Sequence, residues 1–386
     1  MNSKNLNKKE EISFLKLKKT NAQYFIQIIK DQFKDDSIID QKYKIEHKNN
    51  DILFPLVDNK EVIDKLVNAI ENHIQFKLVS KEGIYNPNFK YKTLEDALKG
   101  KVPPNFLSLI PKSYDIIGNI AILEFEKPDQ ITNNKFNEVK NLVAEAVIEV
   151  NKNVQSVFEK KSEIKGSYRL RDLVYLSGEN NLETQHKENN CIFQLDIRKT
   201  FFSPRLVYER RRISESDISK NEIIVDMFAG VGPFSIQIAK LNPVEIHAFD
   251  LNPAAYGFLK RNISLNKLKG TIFPYNFNIK ELISPSNQVG RKLANNVDRI
   301  IMNLPENSFD FLDIACFLMK KSGGMLHFYN FLEKPDPIDK IIEDLNRKLI
   351  ELNWIIGEVI DSKIVKSYSP KADLIVLDLY IKYSNS

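Results

Sequence analysis

Val225-Asp226-Met227-Phe228-Ala229-Gly230-Val231-Gly232-Pro233-Phe234 decides the fold of this chain. The apolar run Ile223-Ile224-Val225 ends in an acid. A glycine turn follows, and Phe234-Ser235-Ile236-Gln237-Ile238-Ala239-Lys240 then carries a helical pattern. This order predicts a buried parallel strand, a tight turn and a helix. Gly230 and Gly232 permit backbone angles and a close ligand approach that a Cβ forbids. Alone, the loop suits a dinucleotide, S-adenosylmethionine (SAM) or a plain strand-to-helix turn. Two acids favour a ligand site. Asp226 stands at the carboxyl end of its strand, where open α/β sheets bind ligands. Asp250 ends the next strand, Glu245-Ile246-His247-Ala248-Phe249, where a carboxylate can take both hydroxyls of a ribose.

From residue 221 strands and helices alternate to the end. The strands are predicted at 223–226, 244–250, 271–275, 297–303, 325–329, 355–366 and 374–383. Successive βα units imply a mostly parallel, doubly wound sheet. The last two strands follow one another without a convincing helix between them. That predicts a terminal antiparallel hairpin, as in SAM-dependent methyltransferases rather than dehydrogenases. The expected fold class is therefore α/β: a Rossmann-like class I methyltransferase domain, mostly parallel with a terminal antiparallel strand, preceded by two small α+β modules.

A chain of 386 residues is long for one core. Three domains are expected, at 1–84, 85–190 and 191–386. The first opens with a polar tail at 1–11, expected to be disordered. Strands at 14–18, 43–46, 52–56 and 74–79 and helices at 22–33 and 62–70 follow. In the second, Thr93 reads as a helix N-cap and Pro103-Pro104 opens a short helix. Residues 114–125 read as one long strand, 137–150 as a helix and 154–159 as a strand. Residues 168–173 read as an extended segment with Arg169 and Arg171 on one face. A strand at 191–197 begins the third domain.

Composition narrows the function. No apolar run approaches a membrane span. The start is too polar for a signal peptide and too poor in arginine for a mitochondrial presequence, so a soluble cytoplasmic protein is expected. Two cysteines without a CxxC argue against a disulfide framework or a cysteine zinc site, and the five histidines show no HExxH spacing, so no metal is expected. A net charge of +5 permits a nucleic-acid partner. The distribution is more telling. No arginine precedes Arg169, and then Arg169, Arg171, Arg198, Arg205, Arg210, Arg211 and Arg212 arrive together. Arginine supplies planar, bidentate donors that lysine does not. Equally, the block could be a solvated basic face. Glu209 is the carboxylate set among these cations, either a held reactive anion or one half of a helix-surface ion pair with Arg205 or Arg212. Ser203-Pro204 fits an N-cap followed by Pro at the first helical position. Further on, Asn303-Leu304-Pro305 follows a parallel strand. Its Pro stiffens the loop, and its Asn amide can both donate to and accept from a planar nucleobase edge.

Together these stretches resemble the archaeal and eukaryotic type of tRNA (guanine-N1)-methyltransferase. The resemblance is carried by residues 226–234, by Asp250-Leu251-Asn252-Pro253 and by Asn303-Leu304-Pro305. It is carried also by Phe202-Ser203-Pro204-Arg205 with Glu209-Arg210-Arg211-Arg212, by 97–103 with 113–118, and by Ile364-Val365-Lys366-Ser367-Tyr368-Ser369-Pro370. It implies methylation of the guanosine just 3′ of the anticodon (position 37), supporting the reading frame, by a monomer with SAM as cofactor and tRNA as partner. The first module would check the outer corner of the tRNA and the second would help seat the anticodon stem-loop. Glu209 would be the general base and Arg169 would stabilise charge on guanine O6, with Arg171 the alternate. Asn303 and Pro305 would hold the base. Asp226, Phe228, Gly230, Gly232, Asp250, Leu251, Asn252, Asn278 and Asn303 would line the SAM site, with Phe201 and Arg205 close to cofactor and substrate. Asn278 stands where the family usually has an acid for the adenine amino group.

Four rivals remain. The first is carbon methylation of a wyosine precursor at the same tRNA position, alone or in addition, which the motifs barely separate. Methylation of DNA adenine or a protein amide is disfavoured by the arginine block and the two extra modules. Cytosine-C5 chemistry lacks its Pro-Cys loop. A catalytically dead tRNA-binding protein would need loss of Glu209 or of the SAM loop.

Overall fold

The structure is a computed structural model that describes residues 10–33, 37–99, 101, 102, 104–126, 132–162 and 164–384. Most of the expected disordered tail, and Pro103 of the expected Pro-Pro helix start, lie outside the described residues. The chain forms two compact units, 1–97 and 98–386.

The first unit holds β1 (Glu11–Lys18), α1 (Ala22–Gln32), β2 (Glu46–Lys48), β3 (Asp51–Pro55), α2 (Lys60–Ile70) and β4 (Phe76–Glu82). Its sheet is antiparallel in the order β2-β3-β1-β4. Leu15 and Leu17 of β1, Phe25 of α1 and Leu66 and Ile70 of α2 meet in one core. The amide oxygen of Asn59 accepts the Val62 N–H at 3.3 Å and so begins α2. The strand expected at 43–46 forms later, at Glu46–Lys48. The reason is the turn: Asn49 takes a left-handed φ of 50° and sets the pairing of Lys48 with Asp51. At α3 (Leu94–Leu98) the Thr93 hydroxyl accepts the Asp96 N–H at 3.1 Å, the expected cap.

The second unit begins with a 3-10 turn at Pro104–Leu109. Four strands follow around the helix α4 (Asn133–Val150): β5 (Asp115–Ile117), β6 (Ile120–Leu123), β7 (Ser156–Lys160) and β8 (Leu173–Gly178), in the order β5-β6-β7-β8. β9 (Glu183–Glu188) and β10 (Cys191–Asp196) form a separate hairpin. Two expectations fail here. The single strand at 114–125 is a hairpin, because Gly118 turns the chain at φ 58°. A Cβ there would stand 2.1 Å from the Thr184 hydroxyl. Residues 168–173 are no strand either. Lys165 and Leu170 exchange backbone bonds of 2.8 and 3.1 Å, closing a turn in which Gly166 and Arg169 both have positive φ. Arg169 and Arg171 therefore share no strand face.

The remaining elements are α5 (Val207–Ser214), β11 (Ile223–Asp226), α6 (Pro233–Leu241), β12 (Glu245–Phe249), α7 (Pro253–Leu265), β13 (Thr271–Tyr275), α8 (Gln288–Leu293), β14 (Arg299–Met302), α9 (Leu312–Leu318), β15 (Gly324–Glu333), α10 (Ile338–Glu351), β16 (Trp354–Ser369) and β17 (Ala372–Tyr383). They build one seven-stranded sheet, β13-β12-β11-β14-β15-β17-β16. The first five strands run parallel and β17 runs antiparallel between β15 and β16. This is the expected α/β class with its terminal antiparallel hairpin. Strand alternation sends Ile224 to one core and Val225 to the other, so the sheet is covered on both faces. The strand order reverses between β11 and β14. Connections leave in opposite directions there, opening a crevice at the carboxyl ends of both strands.

Gly232 is the residue before α6, at φ 90°, with Pro233 in the first turn. A Cβ there would meet Leu259 Cδ1 at 2.5 Å, whereas one on Gly230 meets nothing closer than 3.8 Å. Gly232→Ala is expected to lower unfolding free energy by about 1–3 kcal/mol, since strain and crowding add. Gly230→Ala, with strain alone, should lose about 1–2 kcal/mol at most. Urea melts of both variants check the order.

Candidate active site

The glycine loop and two acids are tied into one frame. The Gly230 N–H donates to Asp250 Oδ2 at 2.7 Å, and the Asn252 N–H donates to Oδ1 at 2.8 Å. The Asn252 side chain accepts from Ala254 N–H at 2.9 Å, starting α7, and donates to the Lys199 carbonyl at 2.7 Å. Burial pushes the Asp250 carboxyl up, against the two backbone donors. Asp226 lies behind the loop. Ser235 donates its hydroxyl to Asp226 Oδ2 at 2.7 Å, and Oδ1 has no partner. Burial raises the Asp226 carboxyl to about 6, against the Ser235 bond.

A cavity of 340 Å³ opens in front of this frame. Phe228, Phe277, Ile279 and Phe311 form an apolar slot, and Gly230, Asp250, Leu251, Asn252 and Asn278 line its polar side. The Phe228 and Phe311 rings meet edge to face at 4.9 Å. A flat aromatic base fits the slot, and the lone pairs that Asp250 keeps beyond its two backbone donors suit ribose hydroxyls. An adenosine-bearing cofactor therefore fits the residues present. The Asn278 amide oxygen already accepts from Lys280 N–H at 3.1 Å, so any contact with an adenine would be shared.

A second cavity of 450 Å³ adjoins the first. Arg169, Phe201, Ser203, Leu206 and Asn303 line both and form the wall between them. Arg205, Pro305, Lys160, Arg171, Lys366 and Tyr368 line the second alone. Burial lowers Lys366 to about 8, with the Arg205 charge adding to it. The second cavity is thus basic, with Tyr368 and Phe331 rings 4.3 Å apart on its side. Such a site suits an electron-rich, phosphate-bearing base.

Arg169 is the most constrained member of the shared wall. Its φ is 56°, its guanidinium carbon lies 4.4 Å from the Phe201 ring centre, and its Nη2 donates to Glu306 Oε1 at 3.4 Å. Its Nε is buried without a partner. Burial lowers the pKa of the guanidinium, against the Glu306 charge. Strain and an orphaned donor at one residue mark a site rather than a scaffold position.

The arginine run splits three ways, because consecutive helical residues point about 100° apart. Arg210 is 1% exposed and forks onto Glu188 at 2.5 and 2.6 Å while donating to the Ser203 carbonyl at 3.1 Å. This anchors α5 and the Ser203 turn against the β9–β10 hairpin. Arg211 faces solvent and pairs with Glu215. Arg212 turns inward to Glu209 at 2.8 Å and to Asp378. Arg205 instead pairs with Asp115 at 2.7 Å. The block is therefore not one solvated basic face. Glu209 is 6% exposed, so its i,i+3 pair with Arg212 joins a buried carboxylate to a half-buried guanidinium rather than lying on the helix surface. It also receives Lys363 Nζ at 3.0 Å and the Tyr329 hydroxyl at 3.3 Å.

Arg169, Phe201, Phe228, Gly230, Asp250, Leu251, Asn252, Asn278 and Asn303 line the first cavity, and Arg205 and Pro305 the second. Asp226, Gly232 and Glu209 line neither. Glu306, Phe277, Phe311 and Lys366 were not singled out as site residues in the sequence. Lys366 lies in the quoted segment 364–370, and Glu306 directly follows Asn303-Leu304-Pro305. The two phenylalanines carry no local signal that separates them from core.

Residues 184–354 match the TRM5/TYW2 methyltransferase domain, and residues 94–181 match the TYW2 N-terminal domain. The tRNA (guanine(37)-N(1))-methyltransferase Trm5b of Methanocaldococcus jannaschii is 35% identical over 352 residues, covering 90% of this chain and 93% of that protein. The solved complex of aTrm5 with tRNALeu is similar at TM-score 0.68 and 33% identity, covering 95% of this chain and 99% of that one. Methanocaldococcus jannaschii Trm5 in complex with adenosine is similar at TM-score 0.58 and 31% identity, covering 97% of this chain and 100% of that one.

Proposed function

Since this chain belongs to the TRM5/TYW2 methyltransferase family, we propose that it transfers a methyl group from SAM to N1 of guanosine 37 of tRNA. The observation that carries the reading is the pair of adjoining cavities with Arg169, Phe201 and Asn303 in their common wall. One suits adenosine, the other a base with its phosphates, and group transfer needs the two side by side.

SAM supplies an electrophilic methyl group on its sulfonium. Asp250 would hold its ribose, Phe228, Phe277 and Phe311 its adenine, and the Gly230 loop its near edge, while Asp226 braces that loop from behind. Guanine N1 carries a proton and is a poor nucleophile at neutral pH. A base must remove that proton while a cation stabilises the charge moved onto O6. Arg169 supplies the cation from the wall between the cavities. Glu209 is the proton acceptor in this reading. It stands nearly one helical turn after Leu206, which lines both cavities. To take the N1 proton it must exchange a present partner, and Lys363, 35% exposed, is the one that can leave through solvent. Asn303 and Pro305 hold the guanine edge. The base must leave its stack to enter.

A division of labour among three parts belongs to this reading. Residues 1–84 would check the outer tRNA, 85–190 would help seat the anticodon stem-loop, and 191–386 would carry catalysis. We infer a monomer, because the residues of the 98–386 unit form both cavities, and a cytoplasmic one, because a tRNA anticodon is met there. Among the described residues no helix is long and apolar enough to cross a membrane.

The test is methylation of a tRNA transcript with G 3′ of the anticodon by the purified chain and SAM, followed by nucleoside analysis. N1-methylguanosine is the expected product. No methyl incorporation with intact SAM binding would overturn the reading. Similarity to the tRNA 4-demethylwyosine(37)-methyltransferase Taw21 of Saccharolobus solfataricus, 31% identical and covering 69% of this chain and 93% of that protein, favours a second one, carbon methylation of a wyosine precursor, and the same nucleoside analysis on precursor-bearing tRNA separates them.

A further inference from the structure

Behind Glu209 runs a connected row of buried and half-buried charges that the reaction as described leaves unused. Arg212 donates Nη2 to Glu209 Oε2 at 2.8 Å, and its Nη1 donates to Asp378 Oδ2. Asp378 Oδ1 lies 2.7 Å from His327 Nδ1. His327 Nε2 lies 2.9 Å from Arg299 Nη1, and Arg299 Nε donates to Glu222 Oε2 at 2.9 Å. The row starts at the sheet's amino end, passes under β15 and β17, and ends at α5. Asp378, His327 and Arg299 are each at most 4% exposed, and none lines either cavity.

Donor chemistry sets the direction of every bond in the row. Arginine can only donate. His327 Nε2 must therefore accept from Arg299, the ring proton sits on Nδ1, and it points at Asp378. Burial lowers His327, against the Asp378 bond, so the ring stays neutral. Burial pushes the Asp378 carboxyl up, but the His327 and Arg212 bonds outweigh it and hold it at about 2. Asp378 is thus anionic wherever the enzyme works. Burial disfavours the charged Arg212, but the Asp378 and Glu209 bonds raise it well above the ordinary value.

One arginine is thereby shared between two buried carboxylates. Paired with Glu209 alone, it would hold that carboxylate as a closed, unreactive ion pair. We propose that Asp378 is a positioning residue for proton transfer: by taking part of Arg212, and being itself aimed by His327 and Arg299, it leaves Glu209 able to accept a proton. The proposal rests on the reading of Glu209 as the base. The groups facing Glu209 come from every element around it. Arg212 of its own helix, Tyr329 of β15 and Lys363 of β16 touch it directly, while Asp361 of β16 and Asp378 of β17 reach Arg212 and His327 of β15 reaches Asp378. Lys240 on the adjacent α6 is turned to the Asn190 carbonyl. Burial pushes the Tyr329 phenol well above its usual value, so it stays a donor to Glu209 Oε2.

The experiment is the pH profile of single-turnover methyl transfer by the full chain on tRNA, for wild type, Asp378→Asn, Tyr329→Phe and Glu209→Gln. Removing the Asp378 charge makes protonation of the nearby carboxylate harder, so its acidic limb should move to lower pH, on the order of one unit. The plateau rate should fall by about two- to tenfold, since the Brønsted response to one unit of basicity is tenfold at most, with tRNA affinity kept. Tyr329→Phe, nearly isosteric, removes a donor to the anion and should move the limb the other way. Opposite shifts support the proposal; if Asp378→Asn does not fold, Asp378→Ser, which also removes the charge, takes its place, because Tyr329→Phe reports on Glu209 alone. An unmoved limb in the folded variants, with losses confined to melting temperature, overturns it and leaves a structural role. Glu209→Gln tells the two failures apart. If it is inactive while the limbs stay unmoved, the positioning idea alone fails. If it turns over at the wild-type rate, the base assignment fails and takes the proposal with it.

Discussion

Glu209→Gln is expected to lower kcat by about 10²–10⁴-fold, the range for losing a general base, with SAM and tRNA affinities nearly unchanged. Gln cannot accept the guanine proton, yet it keeps the size of the side chain. The local cost is calculable. Glu209 receives Arg212, Lys363 and Tyr329, all of which donate. An amide offers them one oxygen and sets its NH2 against the rest, a loss of about 1–3 kcal/mol. That loss lowers stability in urea, but it cannot produce so large a kcat deficit in protein that remains folded at the assay temperature. Single-turnover rates with saturating tRNA and SAM check this. Collapse of tRNA binding with an unchanged chemical step would show that Glu209 serves substrate binding and not proton removal.

Arg169→Gly should lower kcat by about 10²–10³-fold, the usual loss of a donor to a developing oxyanion, while leaving stability almost where it was. Several local terms oppose one another. Glycine relieves the left-handed φ of 56°, worth about 1–2 kcal/mol, and removes a buried Nε that has no partner. It forfeits the stacking of the guanidinium on Phe201 at 4.4 Å, worth about 0.5–2 kcal/mol, and the loose pair with Glu306. The sum lies near zero. A residue that costs the fold as much as it contributes is held for the reaction. Arg169→Lys should recover only part of the rate, since an ammonium lacks the planar fork. kcat by nucleoside analysis and unfolding free energy in urea, measured on the same preparations, test the pairing of a large kinetic loss with a small thermodynamic one. A parallel fall in both would make Arg169 an ordinary structural residue.

The sheet, its glycine loop and its antiparallel end were legible from residue 223 onward, because each depends on neighbours a few positions away. A run of Ile and Val buries as a strand whatever surrounds it, and Gly232 turns because no Cβ is in the way. Asp250 and Asn303 could be placed at the cavity for the same reason: residues at or just past the carboxyl ends of parallel strands face the crevice; Phe228 and Asn252 were placed there by the family resemblance. What the sequence did not decide was set by left-handed turn residues and by partners far along the chain. Residues 114–125 broke into a hairpin where Gly118 meets Thr184. Arg169 left its expected strand for a strained turn closed by Lys165 and Leu170. Arg210, Arg211 and Arg212 look alike in sequence, yet one is sealed on Glu188, one is in solvent and one divides itself between Glu209 and Asp378. The surroundings of Glu209 come from Tyr329, Lys363 and Asp378, more than a hundred residues away. Local pattern specifies backbone, because backbone preferences act over a turn or a pair of residues. The state of a buried charge depends on which opposite charges the fold brings within about 4 Å, and only the tertiary structure supplies those.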